Sequence, residues 1–119
     1  MQILVVDDSR AMRSIVIRAV KAAGVEATFL EAQNGAEALS AVREAKPDLV
    51  LSDWNMPQMS GIELLTALRA EGNAVPFGFV TSEGDANQRD RARQAGALFL
   101  ISKPFSPDAV KEALAALPG

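Results

Sequence analysis

Apolar residues cluster in five short runs along this chain, at 3–6, 28–30, 49–51, 77–80 and 98–101. Most of these runs are apolar at every position. A strand with one wet face alternates, whereas a strand covered on both faces does not. The runs therefore read as buried strands of a parallel sheet. The longer segments between them repeat at helical spacing. After Ser9, the residues Met12, Ile15, Val16, Ala19, Val20 and Ala23 mark one side of a first helix, and Gly24 supplies a left-handed stop. Asn34 with Glu37 and Ser60 with Glu63 have capping-box spacing, and Asp85 with Gln88 is a weaker version. The second helix must end before Pro47. Ile62, Leu64, Leu65 and Leu68 give the third helix its apolar side. Ser106-Pro107 places a cap and then proline at the start of a last helix, which carries Val110, Ala113, Leu114 and Leu117. Five strand–helix pairs make one α/β domain, a doubly wound (βα)₅ sheet with right-handed crossovers covering both faces.

Composition narrows what such a domain does. With 119 residues, 49% of them hydrophobic, the chain fits a single packed domain over 1–119. Its net charge of −3, from 12 basic and 15 acidic residues, is too mild for a nucleic-acid or membrane-surface partner. No run approaches membrane-spanning length. The apolar start lacks the basic flank and the length of a signal peptide, so a cytoplasmic protein is expected. The chain closes on Pro118-Gly119 without a linker, so no output domain is expected. Cysteine and histidine are both absent. That excludes disulfides, zinc–thiolate sites, Ser-His-Asp catalysis and a self-phosphorylating histidine. Any metal must be held by oxygens, which leaves Mg²⁺, Mn²⁺ or Ca²⁺.

Several strand runs end in a polar side chain. Asp7 and Asp8 follow Val6, Asp53 follows Leu51-Ser52, Thr81 follows Val80, and Lys103 follows Ile101-Ser102. Ligands of open α/β sheets bind at the carboxyl ends of the strands. One edge should therefore collect three carboxylates, a hydroxyl and an ammonium. Taken singly, each is an ordinary turn, cap or surface residue. Together they suit phosphoryl transfer. Clustered carboxylates need a cation, an aspartate can attack phosphorus, and the transferred group needs its equatorial oxygens neutralised. A metal, Lys103 and Thr81 would each take one of those oxygens.

The segments Leu4-Val5-Val6-Asp7-Asp8, Ser52-Asp53-Trp54-Asn55-Met56-Pro57, Met59-Ser60-Gly61-Ile62-Glu63-Leu64-Leu65, Val80-Thr81 and Lys103-Pro104-Phe105 carry a family resemblance. Over residues 3–117 the chain resembles response-regulator receiver domains, most closely the single-domain chemotaxis regulators. The resemblance implies a flavodoxin-like sheet of order 2-1-3-4-5 and a two-component signalling switch, not a conventional turnover enzyme. Asp53 is implied as the phosphoacceptor. Mg²⁺, with Mn²⁺ as a substitute, would bind Asp8 and Asp53, the Asn55 backbone carbonyl and, through water, Asp7. Lys103 and Thr81 would contact the phosphoryl group. Asn55 and Glu83 would tune hydrolysis of the aspartyl-phosphate, and Lys103–Pro104 would be a cis peptide bond. The implied partners are a histidine kinase or phosphotransfer protein as donor and a downstream protein. The latter would dock on the face of the fourth helix, fifth strand and fifth helix.

The chain departs from the family in places. Leu100 stands where a Tyr or Phe usually acts as a rotamer switch, three residues before the lysine. Neighbouring Phe99 should point to the opposite face. Ser60 replaces a frequent Asp but keeps the cap. Gly78 interrupts the fourth strand; it either admits bulk from Phe77 or Phe79 or loosens the strand. The fourth helix holds Arg89, Arg91 and Arg93 with only alanines as apolar residues. It should be marginally held, its arginines forming a solvated face or, alternatively, a site for an acidic partner. The competing readings are a degenerate receiver acting as an interaction module and a haloacid-dehalogenase-like phosphatase. The aspartate spacing of the latter is missing from Asp7-Asp8-Ser9.

Overall fold

Each apolar run becomes a strand because both of its faces find a layer of helices. The computed structural model describes residues 1–82, 84–103 and 106–117. Through them run β1 (Gln2–Val6), α1 (Arg10–Ala22), β2 (Thr28–Ala32), α2 (Gly35–Ala45), β3 (Leu49–Ser52), α3 (Gly61–Ala70), β4 (Phe77–Thr81), α4 (Ala86–Ala95), β5 (Phe99–Ser102) and α5 (Pro107–Leu114). The five strands are all parallel, in the order β2-β1-β3-β4-β5. This is the doubly wound, flavodoxin-like arrangement, in which strand order reverses beside β1.

Alternation along the strands sorts the core into two layers. Leu4, Val6, Val50, Phe77, Phe79 and Leu100 pack with Val42, Leu64, Leu65 and Leu68 on the side of α2, α3 and α4. Ile3, Val5, Leu49, Leu51, Val80 and Ile101 pack with Val16, Val20, Val110 and Leu114 on the side of α1 and α5. β2 is an edge strand with one neighbour, so it carries the exposed Glu31 and runs two residues past its apolar stretch. Leu98 falls just before β5 and is 43% exposed.

The helix starts follow their caps. Ser60 and Glu63 form a full capping box. Asn34 accepts from the Glu37 N–H, but the Glu37 carboxylate accepts from the Gln33 backbone N–H and the Asn34 side-chain amide and not from the Asn34 backbone N–H, so that box is incomplete. Asp85 and Ser106 accept from the N–H groups of Gln88 and Ala109. Each such bond is worth about 1 kcal/mol. Gly24 takes φ +83° just past α1, as a left-handed stop requires.

Gly78 admits a neighbour other than the ones its sequence context suggests. A Cβ there would lie 2.1 Å from a ring carbon of Phe99, its register partner on β5. Phe77 and Phe79 belong to the opposite layer. The glycine is a seat for the Phe99 ring, so Phe99 and Leu100 do occupy opposite faces.

Candidate functional site

One residue beyond each of β1, β3 and β5, the chain is still bonded to a neighbouring strand, β2, β1 and β4 respectively. The Asp7 N–H donates to the Ala32 carbonyl, Asp53 N–H to Val6 and Lys103 N–H to Thr81, at 3.1, 2.9 and 2.7 Å. Asp7, Asp53 and Lys103 are therefore the next rungs of the sheet ladder.

This placement brings the three acids together. Asp7, Asp8 and Asp53 each offer a carboxylate oxygen, and these lie within 4.8 Å of one another. Lys103 Nζ stands 3.6 Å from Asp7 Oδ2 and 3.7 Å from Asp53 Oδ1, which is ion-pair distance but longer than a hydrogen bond. Asp7 is buried and its Oδ1 accepts from the Ser9 N–H at 2.9 Å. Asp53 Oδ1 accepts from the Trp54 N–H at 2.8 Å. Burial pushes the Asp53 carboxyl above the ordinary aspartate range; Lys103 and the Trp54 and Asn55 N–H groups oppose this, and Asp7 adds to it. Burial likewise raises Asp7, against its Ser9 bond and Lys103. One ammonium does not offset this crowding of negative charge.

An oxygen-only cluster of this size with one exposed member, Asp8, fits a hard divalent cation that keeps water ligands. Asp7, Asp8 and Asp53 are the side chains that would hold Mg²⁺ or Mn²⁺. Thr81 is buried at the end of β4, and its carbonyl receives the Lys103 N–H. Asn55 is exposed two residues past Asp53. Leu100 is 8% exposed and belongs to the core layer of α2, α3 and α4. Glu83 and Pro104, with the hydrolysis-tuning role and cis bond expected of them, lie outside the described residues.

Other residues build the site without standing out in the sequence. Gly61 opens α3 against the acceptor loop: its N–H donates to the Trp54 carbonyl at 2.8 Å, and a Cβ there would lie 2.2 Å from the Asp53 carbonyl oxygen. Ser52 is fully buried and donates its hydroxyl to that same carbonyl at 2.8 Å. Arg13 donates to the Asp7 carbonyl at 2.7 Å while pairing with Glu31 at 2.8 Å, bracing the Asp7–Asp8 turn from β2. Gly61 and Ser52 sat inside recognisable motifs, but nothing in the sequence joins Arg13 to Asp7. Trp54 is buried against Phe79, ring centroids 4.7 Å apart.

The solvated face expected of α4 is present, with Arg89, Arg91 and Arg93 all exposed, but these arginines also reach neighbouring elements. The helix buries only Gln88 and Ala92, yet it is not loose. Arg89 bonds to the backbone of β5, and Arg91 lies 5.4 Å from the centre of the Trp54 ring. Arg69 of α3 holds the Gly96 carbonyl at the end of α4. Only Arg93 pairs on its own helix, with Asp90. Guanidinium groups replace the missing apolar contact.

Residues 3–115 match the response regulator receiver domain model. The chain is 38% identical to the chemotaxis protein CheY1 of Helicobacter pylori over 117 residues, covering 96% of this chain and 94% of that protein. It is 39% identical to the chemotaxis protein CheY of Pseudomonas aeruginosa over 114 residues, or 94% and 91% of the two chains. The structure of the chemotaxis response regulator CheY4 of Vibrio cholerae superposes with a TM-score of 0.84 at 30% identity, covering 98% of each chain. With this sheet order, this cluster of acids and these relatives, the chain belongs to the response-regulator receiver family.

Proposed function

We propose that the chain is a phosphorylation-controlled signalling switch in which Asp53 accepts a phosphoryl group from a histidine kinase or phosphotransfer protein. The observation that carries this reading is the clustering of Asp7, Asp8 and Asp53 at the strand ends, with Lys103 at ion-pair distance from Asp7 and Asp53. A bound Mg²⁺ would neutralise the acids and one phosphoryl oxygen. The chain's own residues supply the rest. An oxygen of the Asp53 carboxylate attacks phosphorus as the bond to the donor nitrogen breaks. Burial disfavours the ionised Asp53 carboxylate, and the Lys103 ammonium and the Trp54 and Asn55 N–H groups act in its favour. Lys103 exchanges its contact with the carboxylates for one to the phosphoryl oxygens, and the Thr81 hydroxyl takes another. Asn55 and Glu83 set the lifetime of the aspartyl-phosphate. The phosphorylated form then binds a downstream protein through the face of α4, β5 and α5, with a chemotaxis output supported by the relatives' names.

The test is intact-mass measurement after incubation with acetyl phosphate and Mg²⁺. The wild type gains one phosphoryl group, and Asp53→Asn gains none. An unmodified wild type, with Mg²⁺ binding verified by Trp54 fluorescence, would overturn the reading.

A further inference from the structure

One side chain on α4 holds three acceptors on two other segments, the connection before α4 and β5. Arg89 donates from Nε to the Gly84 carbonyl, from Nη1 to the Leu100 carbonyl and from Nη2 to the Ser102 hydroxyl, each at 3.1 Å. The guanidinium is planar, so these donors cannot be redirected independently. Gly84 itself sits tightly on the same part of β5. A Cβ at position 84 would lie 2.1 Å from Ser102 Oγ and 3.4 Å from Leu100 Cδ2. Arg89, Leu100 and Ser102 also line the groove between α4, β5 and α5, opposite Ala109 and Ala113.

We propose, on the reading of this chain as an Asp53-centred switch, that Arg89 is the positioning residue that passes the placement of Gly84 to β5 and to that groove. Gly84 lies three residues beyond Thr81 in the chain, and its carbonyl is the acceptor that Arg89 Nε holds. A displacement of about 1 Å takes that carbonyl out of hydrogen-bond range of Nε. The guanidinium must then follow the carbonyl and give up Leu100 and Ser102, or stay and give up Gly84. Either way the tie that Arg89 makes between that connection and β5 is broken. The Leu100 side chain has no polar atom to register such a change, and its backbone carbonyl does so through Arg89.

Beryllofluoride with Mg²⁺ serves as the phosphoryl probe. Binding is followed by Trp54 fluorescence, and hydrogen exchange is measured on peptides from α4 and β5 with and without the probe. In the wild type, exchange in β5 and the first turn of α4 differs between the two conditions. Arg89→Ala binds the probe with affinity unchanged within about twofold but loses that difference. Arg89→Lys behaves alike, because one ammonium cannot serve three acceptors in a fixed fork. Gly84→Ala, which props the connection off Ser102 while leaving the arginine in place, also loses it. An Arg89→Ala protein that exchanges faster in both conditions but keeps the wild-type difference marks the arginine as merely stabilising and overturns the proposal. So does a wild type that binds the probe without any change in β5. Should the alanine variant not fold, the lysine variant decides in the same way. A wild type that fails to bind beryllofluoride defeats the switch reading itself, whatever Arg89 does.

Discussion

Helices α3 and α4 follow adjacent strands on the same face of the sheet, yet they are attached by different physics. α3 lays Leu64, Leu65 and Leu68 into the core, all fully buried, and starts on a complete capping box. α4 offers Ala92 and the Gln88 side chain to the interior and is held by arginines instead. Apolar burial is non-directional and worth about 1.5–3 kcal/mol for each large side chain. Hydrogen bonds between exposed guanidinium groups and backbone carbonyls contribute less and depend on geometry. The first kind of attachment yields only by unfolding; the second is made or broken by a displacement of an ångström or so. The strong attachment stands under the acceptor loop through Gly61. The weak one borders the groove between α4, β5 and α5.

The contrast can be broken most forcefully in α3. Leu65→Ala should cost about 2–5 kcal/mol in chemical denaturation. Arg91→Ala, which removes the stacking on Trp54, should cost only about 0.5–1 kcal/mol. Equal losses at the two sites would erase the distinction. Next in size is Gly61→Ala, where the new methyl meets the Asp53 carbonyl and the Phe79 ring. It should lose about 1–3 kcal/mol and weaken the Mg²⁺-dependent change in Trp54 fluorescence.

Asp53→Asn should act in the opposite direction. Burial raises the Asp53 carboxyl in the folded state, so the fold prefers its neutral form. That preference favours folding fully below the unfolded-state pKa of about 4 and is lost as pH rises through the higher folded value. At pH 7 without divalent cations the ionised group therefore weakens the fold. The asparagine variant should melt a few degrees higher there, and its advantage should vanish below about pH 4. A melting gain independent of pH would place its origin elsewhere. The smallest effect is expected at Gln58. This residue takes φ +69° between the Pro57 carbonyl and the Met59 N–H, which bond at 2.8 Å across a three-residue turn. Gln58→Gly should stabilise by roughly 0.5 kcal/mol, the relief of a left-handed side chain less the entropy of glycine.

Much of this was legible because local physics left few choices. Continuous apolar runs mark strands covered on both faces, and the cap residues at Ser9, Ser60, Asp85 and Ser106 mark helix starts wherever the chain goes next. The polar residues that end those runs could only gather at one edge of a parallel sheet, so Asp7, Asp53, Thr81 and Lys103 were visible as a set. The reading failed where the partner was distant in sequence. Gly78 was paired with its strand neighbours, while register gave it Phe99. Composition marks the α4 arginines as an exposed face, which they are, but it reports charge and not reach, so the bond from Arg89 to β5 leaves no sign in it.

What the sequence determined by itself is the list of elements, the two-sided core and the chemistry available at one edge, since each follows from periodicity, capping and residue type. What only the tertiary structure decided is which groups meet. It put the Asp53 carbonyl against Gly61, the Asp7 carbonyl against Arg13, and three acceptors around Arg89. Such contacts are set by strand register and crossover geometry, which fix distances of a few ångströms between residues far apart in the chain and leave no periodic trace in it.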